Sequence, residues 1–168
     1  MEARIALALC VALGSALCGR AAADSLRRRA RMLKGLAEGI RVLRIHMTGM
    51  LEPVQDALER SDCPLFNLVS DGMRSGRSAG EAWEEVKKTA ARRGGMADAL
   101  TSADIAALDN VFERLGESGL NEQEAILTAG LTELERLRDE ARGKAGEADR
   151  LYGTLGLLIG LMLALIVM

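Results

Sequence analysis

The sequence has few of the residues that build catalytic and metal sites. It contains one histidine, His46, and three cysteines, Cys10, Cys18 and Cys63. The cysteines have neither the spacing of a metal site nor the even number of a disulfide framework, and no second imidazole could join His46 as a zinc ligand. The phosphate-binding pattern G-x-x-x-x-G-K-[ST] is also missing. We therefore expect no catalytic residue, no metal, no cofactor and no small-molecule substrate.

Residues that favour β-sheets are scarce as well. Aromatic residues make up 2% of the chain, and runs of β-branched residues are absent. Alanine, leucine, glutamate and arginine dominate, which is typical of helices rather than strands. The sequence predicts an all-α protein.

Charge is low in sum and uneven in distribution. The formal net charge of -2 gives no general attraction to nucleic acid. Residues 20–44 carry eight basic and two acidic side chains, whereas residues 45–150 carry thirteen basic and twenty-one acidic ones. The chain thus has a short basic segment followed by an acidic body, and we expect no nucleic-acid partner.

Two uncharged apolar segments stand at the ends of the chain, Ile5–Gly19 and Gly153–Met168. As helices they would rise roughly 24 Å, close to the ~30 Å hydrocarbon core of a bilayer. We predict transmembrane helices in residues 1–20 and 151–168, with a cytoplasmic helical bundle in residues 21–150. Basic clusters beside a span are retained on the cytoplasmic side, where they can approach anionic lipid headgroups. The membrane-proximal basic residues that support this orientation are Arg20, Arg27, Arg28, Arg29 and Arg31.

Small residues recur every four positions in both predicted spans, a pattern that lets helices pack closely in lipid. We expect these stripes to mediate packing within the membrane. They consist of Ala8, Ala12 and Ala16 in the first span and Gly156, Gly160 and Ala164 in the second.

The first apolar segment has an alternative interpretation. A short apolar core followed by Ala21–Ala23 resembles a cleavable signal peptide. The protein would then be an exported or tail-anchored envelope scaffold, with a mature N-terminus near Asp24. A third alternative, an enzyme with an unrecognised site, predicts a deep polar pocket.

The body between the spans shows helical signals in series. An apolar stripe runs from Leu26 to Met47, and Gly49 and Pro53 end or bend that helix. Pro53 and Pro64 each open a short helix. Capping boxes at Ser78–Glu81 and Thr101–Asp104 open two more, and the last helix starts at Asn121. These signals predict a bundle of about six helices.

Four patterns in this order resemble the stage III sporulation protein AB family. They are P-x-x-D-A-L (Pro53–Leu58), G-x-S-A-x-E-A-W (Gly76–Trp83), LGESG with a glutamine four residues on (Leu115–Gln123), and Y-x-x-L-G-L-L-x-G-L (Tyr152–Leu161). The chain departs from the family at His46, Gly49, Met50, Glu52 and Gly119.

The resemblance implies a membrane-anchored helical bundle similar to the cytoplasmic domain of the type II secretion inner-membrane platform protein. It also implies a place in the channel-like complex between mother cell and forespore, in the mother-cell membrane around the forespore, with the bundle in the cytoplasm. The protein would be an adaptor between that channel and a cytoplasmic secretion-type ATPase, the AA partner of the family. We expect the partner interface at Gly116, Gly119 and Gln123 in the turn before the last helix, with Trp83 nearby.

Overall fold

The protein is all-α in a computed structural model that describes residues 2–90 and 94–167, with side chains described at 21, 23–90, 94–152, 154 and 162. These residues contain six α-helices, one π-helical turn and no strand. The α-helices are α1 Glu2–Arg44, α2 Val54–Arg60, α3 Pro64–Arg74, α4 Ala79–Ala90, α5 Ser102–Phe112 and α6 Leu120–Val167, and the π-helical turn is Ile45–Gly49. The predicted all-α class and the number of about six helices are confirmed, and the membrane anchoring stays a prediction.

The helices begin where local signals place them. Pro64 occupies the first turn of α3, where its missing N–H removes no helical hydrogen bond. At the start of α4 the Ser78 N–H donates to Glu81 Oε2 at 2.9 Å, and the Glu81 N–H donates to Ser78 Oγ at 3.2 Å. Thr101 and Asp104 form the second capping box, at the start of α5.

The chain divides into two compact units. The terminal unit comprises Met1–Arg28 and Glu140–Met168, and the central unit comprises Arg29–Asp139. In the terminal unit Arg27 forms ion pairs with Asp24 and with Asp149, so α1 and α6 are linked there.

The predicted membrane boundaries stay predictions. Within the part of the chain that the structure describes, no helix contains a stretch both long and apolar enough to cross a membrane. The small residues expected to pack in the membrane, Ala8, Ala12, Ala16, Gly156, Gly160 and Ala164, lie outside the residues whose side chains are described.

An aromatic cluster forms the core of the central unit. The ring of Phe112 stacks on Trp83 at a centroid distance of 4.8 Å and meets Phe66 edge-on at 5.3 Å. All three rings are fully buried. The predicted apolar stripe that runs along α1 into the π-helical turn is also buried from Ala30 to Met47. The α6 stripe is buried at Leu127, Leu131, Leu134 and Leu137.

Candidate interaction surface

The turn between α5 and α6, residues 113–119, brings together the glycines expected at the partner interface. Gly116 has a φ of +83°, a backbone conformation that glycine adopts without the steric cost of a Cβ. A Cβ placed on Gly116 would lie 3.2 Å from Val54 Cγ2, so this turn packs against the start of α2. Gly119 is exposed, and a Cβ there would meet nothing within 4 Å.

Gln123 fixes this turn from the first part of α6. Its side-chain Nε2 donates to the Arg114 carbonyl at 2.9 Å and to Ser118 Oγ at 2.7 Å. The side chain is buried, with 3% exposed, and its Oε1 has no hydrogen-bond partner among the described residues. Gly116 and Gly119 therefore lie in one turn, which Gln123 holds in shape from α6 while Gly119 faces solvent.

A groove of about 320 Å³ lies between α5 and α6 beside this turn. A Cβ placed on Gly130 would lie 2.3 Å from Val111 Cγ2, so the two helices approach closely at that point because residue 130 has no side chain. The groove is lined by Ala107, Asn110, Val111, Arg114, Ile126, Ala129, Gly130 and Glu133.

The groove carries opposite charges at its two ends. A short turn makes α5 and α6 antiparallel, so Arg114 and Glu133 lie at opposite ends of the apolar floor. Arg114 pairs with Glu122. The guanidinium of Arg136 donates to both carboxylate oxygens of Glu133, at 2.8 and 2.6 Å, and these bonds hold the pKa of Glu133 below its usual value. Such a groove can accept an apolar side chain but has no reactive group.

Trp83, expected near the partner interface, is a core residue. Only 1% of its surface is exposed, so any part it has in a partner interface is indirect, from inside the bundle, and that interface stays a prediction. Its Nε1 donates to Asp109 Oδ1 at 2.6 Å, and the Lys87 ammonium lies 2.8 Å from the same oxygen. Burial acts to lower the pKa of Lys87, but hydrogen bonds to Asp109 and Glu84 raise it above its usual value. Trp83 thus joins α4 to α5 inside the bundle.

Arg29, expected to face lipid headgroups, is buried instead. Its guanidinium donates to Asp104 through Nε and Nη2, both at 2.7 Å, and 8% of the residue is exposed. The guanidinium is therefore neutralised inside the protein and is not available to lipid headgroups, and the position of these basic residues beside a membrane stays a prediction. Arg27, Arg28 and Arg31 are exposed, and the side chain of Arg20 lies outside the described residues.

The segment after α1 carries features that sequence reasoning missed. Leu51 has a φ of +58°, a conformation uncommon for a residue with a bulky side chain. Glu52 Oε2 lies 3.0 Å from both His46 Nδ1 and Arg60 Nε. Two departures from the family pattern, His46 and Glu52, are therefore direct partners. The pair Met50–Leu51, off the apolar stripe and just before a proline, is the signal that could have drawn attention to this segment.

In the part of the chain described by the structure, histidine, cysteine and carboxylate side chains form no cluster that could hold a metal ion. The site consists of apolar and charged side chains on a helical surface.

Comparison with known proteins agrees with this picture. The family profile of stage III sporulation protein AB matches residues 4–168, nearly the full length of the chain. The chain belongs to the stage III sporulation protein AB family. The resemblance expected from the four sequence patterns is confirmed.

A solved structure titled stage III sporulation protein AB is similar to this chain, with a TM-score of 0.61 and 22% sequence identity. The match covers 71% of this chain and 97% of the solved one. At this identity the likeness shows the fold, which the two proteins share. No protein with a curated description matches the chain.

Membership of the stage III sporulation protein AB family supports a role in sporulation. The family is a structural component of that process and not a known family of enzymes.

Proposed function

We propose that this protein is a structural adaptor in the channel-like, secretion-related complex that links mother cell and forespore. It couples a cytoplasmic secretion-type ATPase, the AA partner of the family, to the membrane channel. Family membership supports the role in sporulation. The helical surface of the central unit, with its apolar and charged side chains, is consistent with an adaptor.

The observation that carries the proposal is the α5–α6 turn. Gly116 and Gln123 hold the turn in one shape, so a partner would meet a surface that needs little ordering on binding. The same turn leads directly into α6, which runs from Leu120 to Val167. The sequence of α6 ends in the second predicted membrane span. A partner docked at the turn would therefore bind the head of the helix that carries this span.

The proposal includes a location and further partners. The protein sits in the mother-cell membrane around the forespore, anchored by the two apolar segments, with its bundle in the cytoplasm. Its other partners are channel proteins of the same complex and the lipid bilayer, and it takes no nucleic acid and no small-molecule substrate. Exposed Arg28 and Arg31 would each contribute about 1 kcal/mol near anionic headgroups.

Substitution of Gly119 tests the docking site without disturbing the fold. Gly119 is exposed with open space around its Cα, so Gly119→Arg adds bulk and positive charge only at the surface. Gly35 on α1 is likewise exposed with open space, and Gly35→Arg is the matched control. In sporulating cells, Gly119→Arg should abolish co-purification of the ATPase with the full-length protein and lower spore yield, while Gly35→Arg should preserve both.

The outcome that would refute the docking site is equal co-purification from the two variants. If neither variant co-purified the ATPase, any added charge on the bundle would be disruptive. The turn could then not be assigned as the docking site.

A further inference from the structure

Four of the six exposed large apolar side chains described in the central unit lie in two stretches of the chain, and the other two are Leu68 and Met96. Single exposed apolar residues are normal on protein surfaces, but a contiguous group marks an interaction site. The first stretch, at the end of α1 and after it, contributes Ile45, Met50 and Leu51, which are 48%, 59% and 65% exposed. The second stretch, at the head of α6, contributes Leu120, which is 55% exposed.

Contacts of α1 with α6, and of α2 with the α5–α6 turn, place these stretches at the same end of the unit. Arg41 Nη2 lies 2.6 Å from Glu135 Oε1, and Arg44 Nη1 lies 3.1 Å from Thr128 Oγ1. The two helices are therefore antiparallel, and the end of α1 approaches the head of α6. A Cβ placed on Gly116 would lie 3.2 Å from Val54 Cγ2, so the α5–α6 turn packs against the segment after Leu51. We call this end of the central unit the tip.

Hydrogen bonds hold the first stretch in a defined shape. The Met50 N–H donates to the Ile45 carbonyl at 3.1 Å, and the Glu52 N–H donates to the His46 carbonyl at 3.0 Å. The carboxylate of Glu52 binds His46 and Arg60 at 3.0 Å each. Leu51 keeps its positive φ within this frame, and backbone outliers of this kind persist where the surroundings fix them, often at binding sites. The frame displays Met50 and Leu51 to solvent.

The charge at the tip is negative. Glu113, Glu117 and Glu124, at the α5–α6 turn and in the first turns of α6, are exposed. None of these three carboxylates forms an ion pair with another described residue. Among the basic side chains nearby, Arg114 pairs with Glu122 and Arg60 with Glu52, and the guanidinium of Arg44 donates to Thr128. A partner that covers the apolar residues must therefore meet uncompensated negative charge around them.

We propose that the tip binds a protein segment that presents apolar side chains flanked by lysine or arginine. The apolar side chains of the partner cover Met50, Leu51 and Leu120, and its basic side chains pair with the surrounding carboxylates. Complementary charge fixes the orientation of the partner and excludes acidic competitors. This inference rests on the proposed function in taking the partner to be a protein of the sporulation complex, and it adds the chemistry of the partner surface.

Photo-crosslinking of the full-length protein in sporulating cells tests the inference. p-Benzoyl-phenylalanine in place of Met50 should give adducts that mass spectrometry maps to an apolar, basic segment of a partner protein. The same residue in place of Met96 is the control, because Met96 is 48% exposed but precedes α5, at the opposite end of that helix from the tip. It should give no such adduct.

Charge reversal tests the second half of the inference. Glu117→Lys with Glu124→Lys should lower the yield of the Met50-position adduct about tenfold, since like charges then face each other. Asp71→Lys, which changes an exposed carboxylate on α3, should leave the yield unchanged. No adduct from position 50, equal adducts from position 96, or adducts on lipid or on an acidic segment would overturn the inference.

The two proposals fail in different ways. Adducts on a basic, apolar segment of another channel protein would support the inference and remove the ATPase from this site. Loss of ATPase co-purification in Gly119→Arg, with no adduct from position 50, would support the adaptor and remove the tip as its contact.

Discussion

Arg29 and Asp104 form a buried, two-pronged ion pair between α1 and α5. The guanidinium Nε and Nη2 lie 2.7 Å from the two carboxylate oxygens, and Asp104 is fully buried. The same carboxylate accepts a hydrogen bond from the Thr101 N–H at 2.8 Å. Asp104 therefore binds both the guanidinium of Arg29 and a backbone N–H at the start of α5. The pair therefore fixes the start of α5 against α1.

Removal of one partner should destabilise the protein strongly. Arg29→Met leaves the Asp104 carboxylate buried without its counter-charge, which costs about 3–5 kcal/mol. Arg28→Met, at an exposed neighbouring position, should change the free energy of unfolding by less than about 0.5 kcal/mol. Trp83 is the single tryptophan and is buried, so its fluorescence during urea unfolding of the full-length protein in detergent reports the difference. Similar midpoints for the two variants would show that the pair has no structural role.

The same pair predicts how stability depends on pH. Burial acts to raise the pKa of Asp104, but hydrogen bonds from Arg29 and Thr101 outweigh it and hold that pKa below its usual value. A depressed carboxyl pKa contributes stability that is complete above the unfolded pKa of about 3.9 and is lost as the pH falls through the folded value. The stability gap between wild type and Arg29→Met should therefore be constant near neutral pH and narrow as the pH falls towards and below about 4.

Urea unfolding at pH steps from 7 to roughly 3.5 measures this gap. A gap that stays the same over the whole range would mean that Asp104 does not titrate as part of the pair.

Close packing of α5 on α6 should make Gly130 intolerant of a side chain. Gly130→Ala places a methyl group 2.3 Å from Val111 Cγ2, and such overpacking costs about 1–3 kcal/mol. Gly35→Ala, in α1 with open space around it, should stabilise the helix by roughly 0.5–1 kcal/mol. Val111→Ala should relieve part of the cost when combined with Gly130→Ala. Opposite signs for the two glycine variants in thermal unfolding would confirm the close approach, and equal effects would contradict it.

The two glycines of the α5–α6 turn should respond differently to alanine. Gly116 has a φ of +83° and little room beside Val54, so Gly116→Ala should lower the free energy of unfolding by about 1–2 kcal/mol. Gly119 has open space and no positive φ, so Gly119→Ala should be close to neutral. Unfolding midpoints of the two variants, measured side by side, check this. A large cost at Gly119 would mean that the turn has another shape.

Local features of this fold could be predicted from the sequence because they depend on neighbouring residues. The capping boxes at Ser78–Glu81 and Thr101–Asp104 are present as expected, since each needs only four consecutive residues. The buried stripe of α1 follows in the same way from its spacing. The turn that holds Gly116, with Gln123 after it, also follows from the order of residues that resembles the family.

Features that depend on distant residues could not be predicted. The sequence predicts a basic surface at Arg29 because four other arginines lie near it in the chain, but Asp104, 75 residues away, pairs with it in the interior. Trp83 has as its partner Asp109 on another helix. The positive φ of Leu51 has no signal in the sequence, since leucine rarely adopts it.

The central claim is that the helical bundle faces the cytoplasm, where an ATPase can reach its α5–α6 turn. The most direct test is labelling of a single cysteine at position 96 by a membrane-impermeant maleimide, with Cys10, Cys18 and Cys63 replaced. In cells that express the full-length protein outside sporulation, so that one membrane separates the two sides, Met96→Cys should be labelled only after lysis. Labelling in intact cells would place the bundle outside the cytoplasm, contradict the adaptor, and favour the exported scaffold.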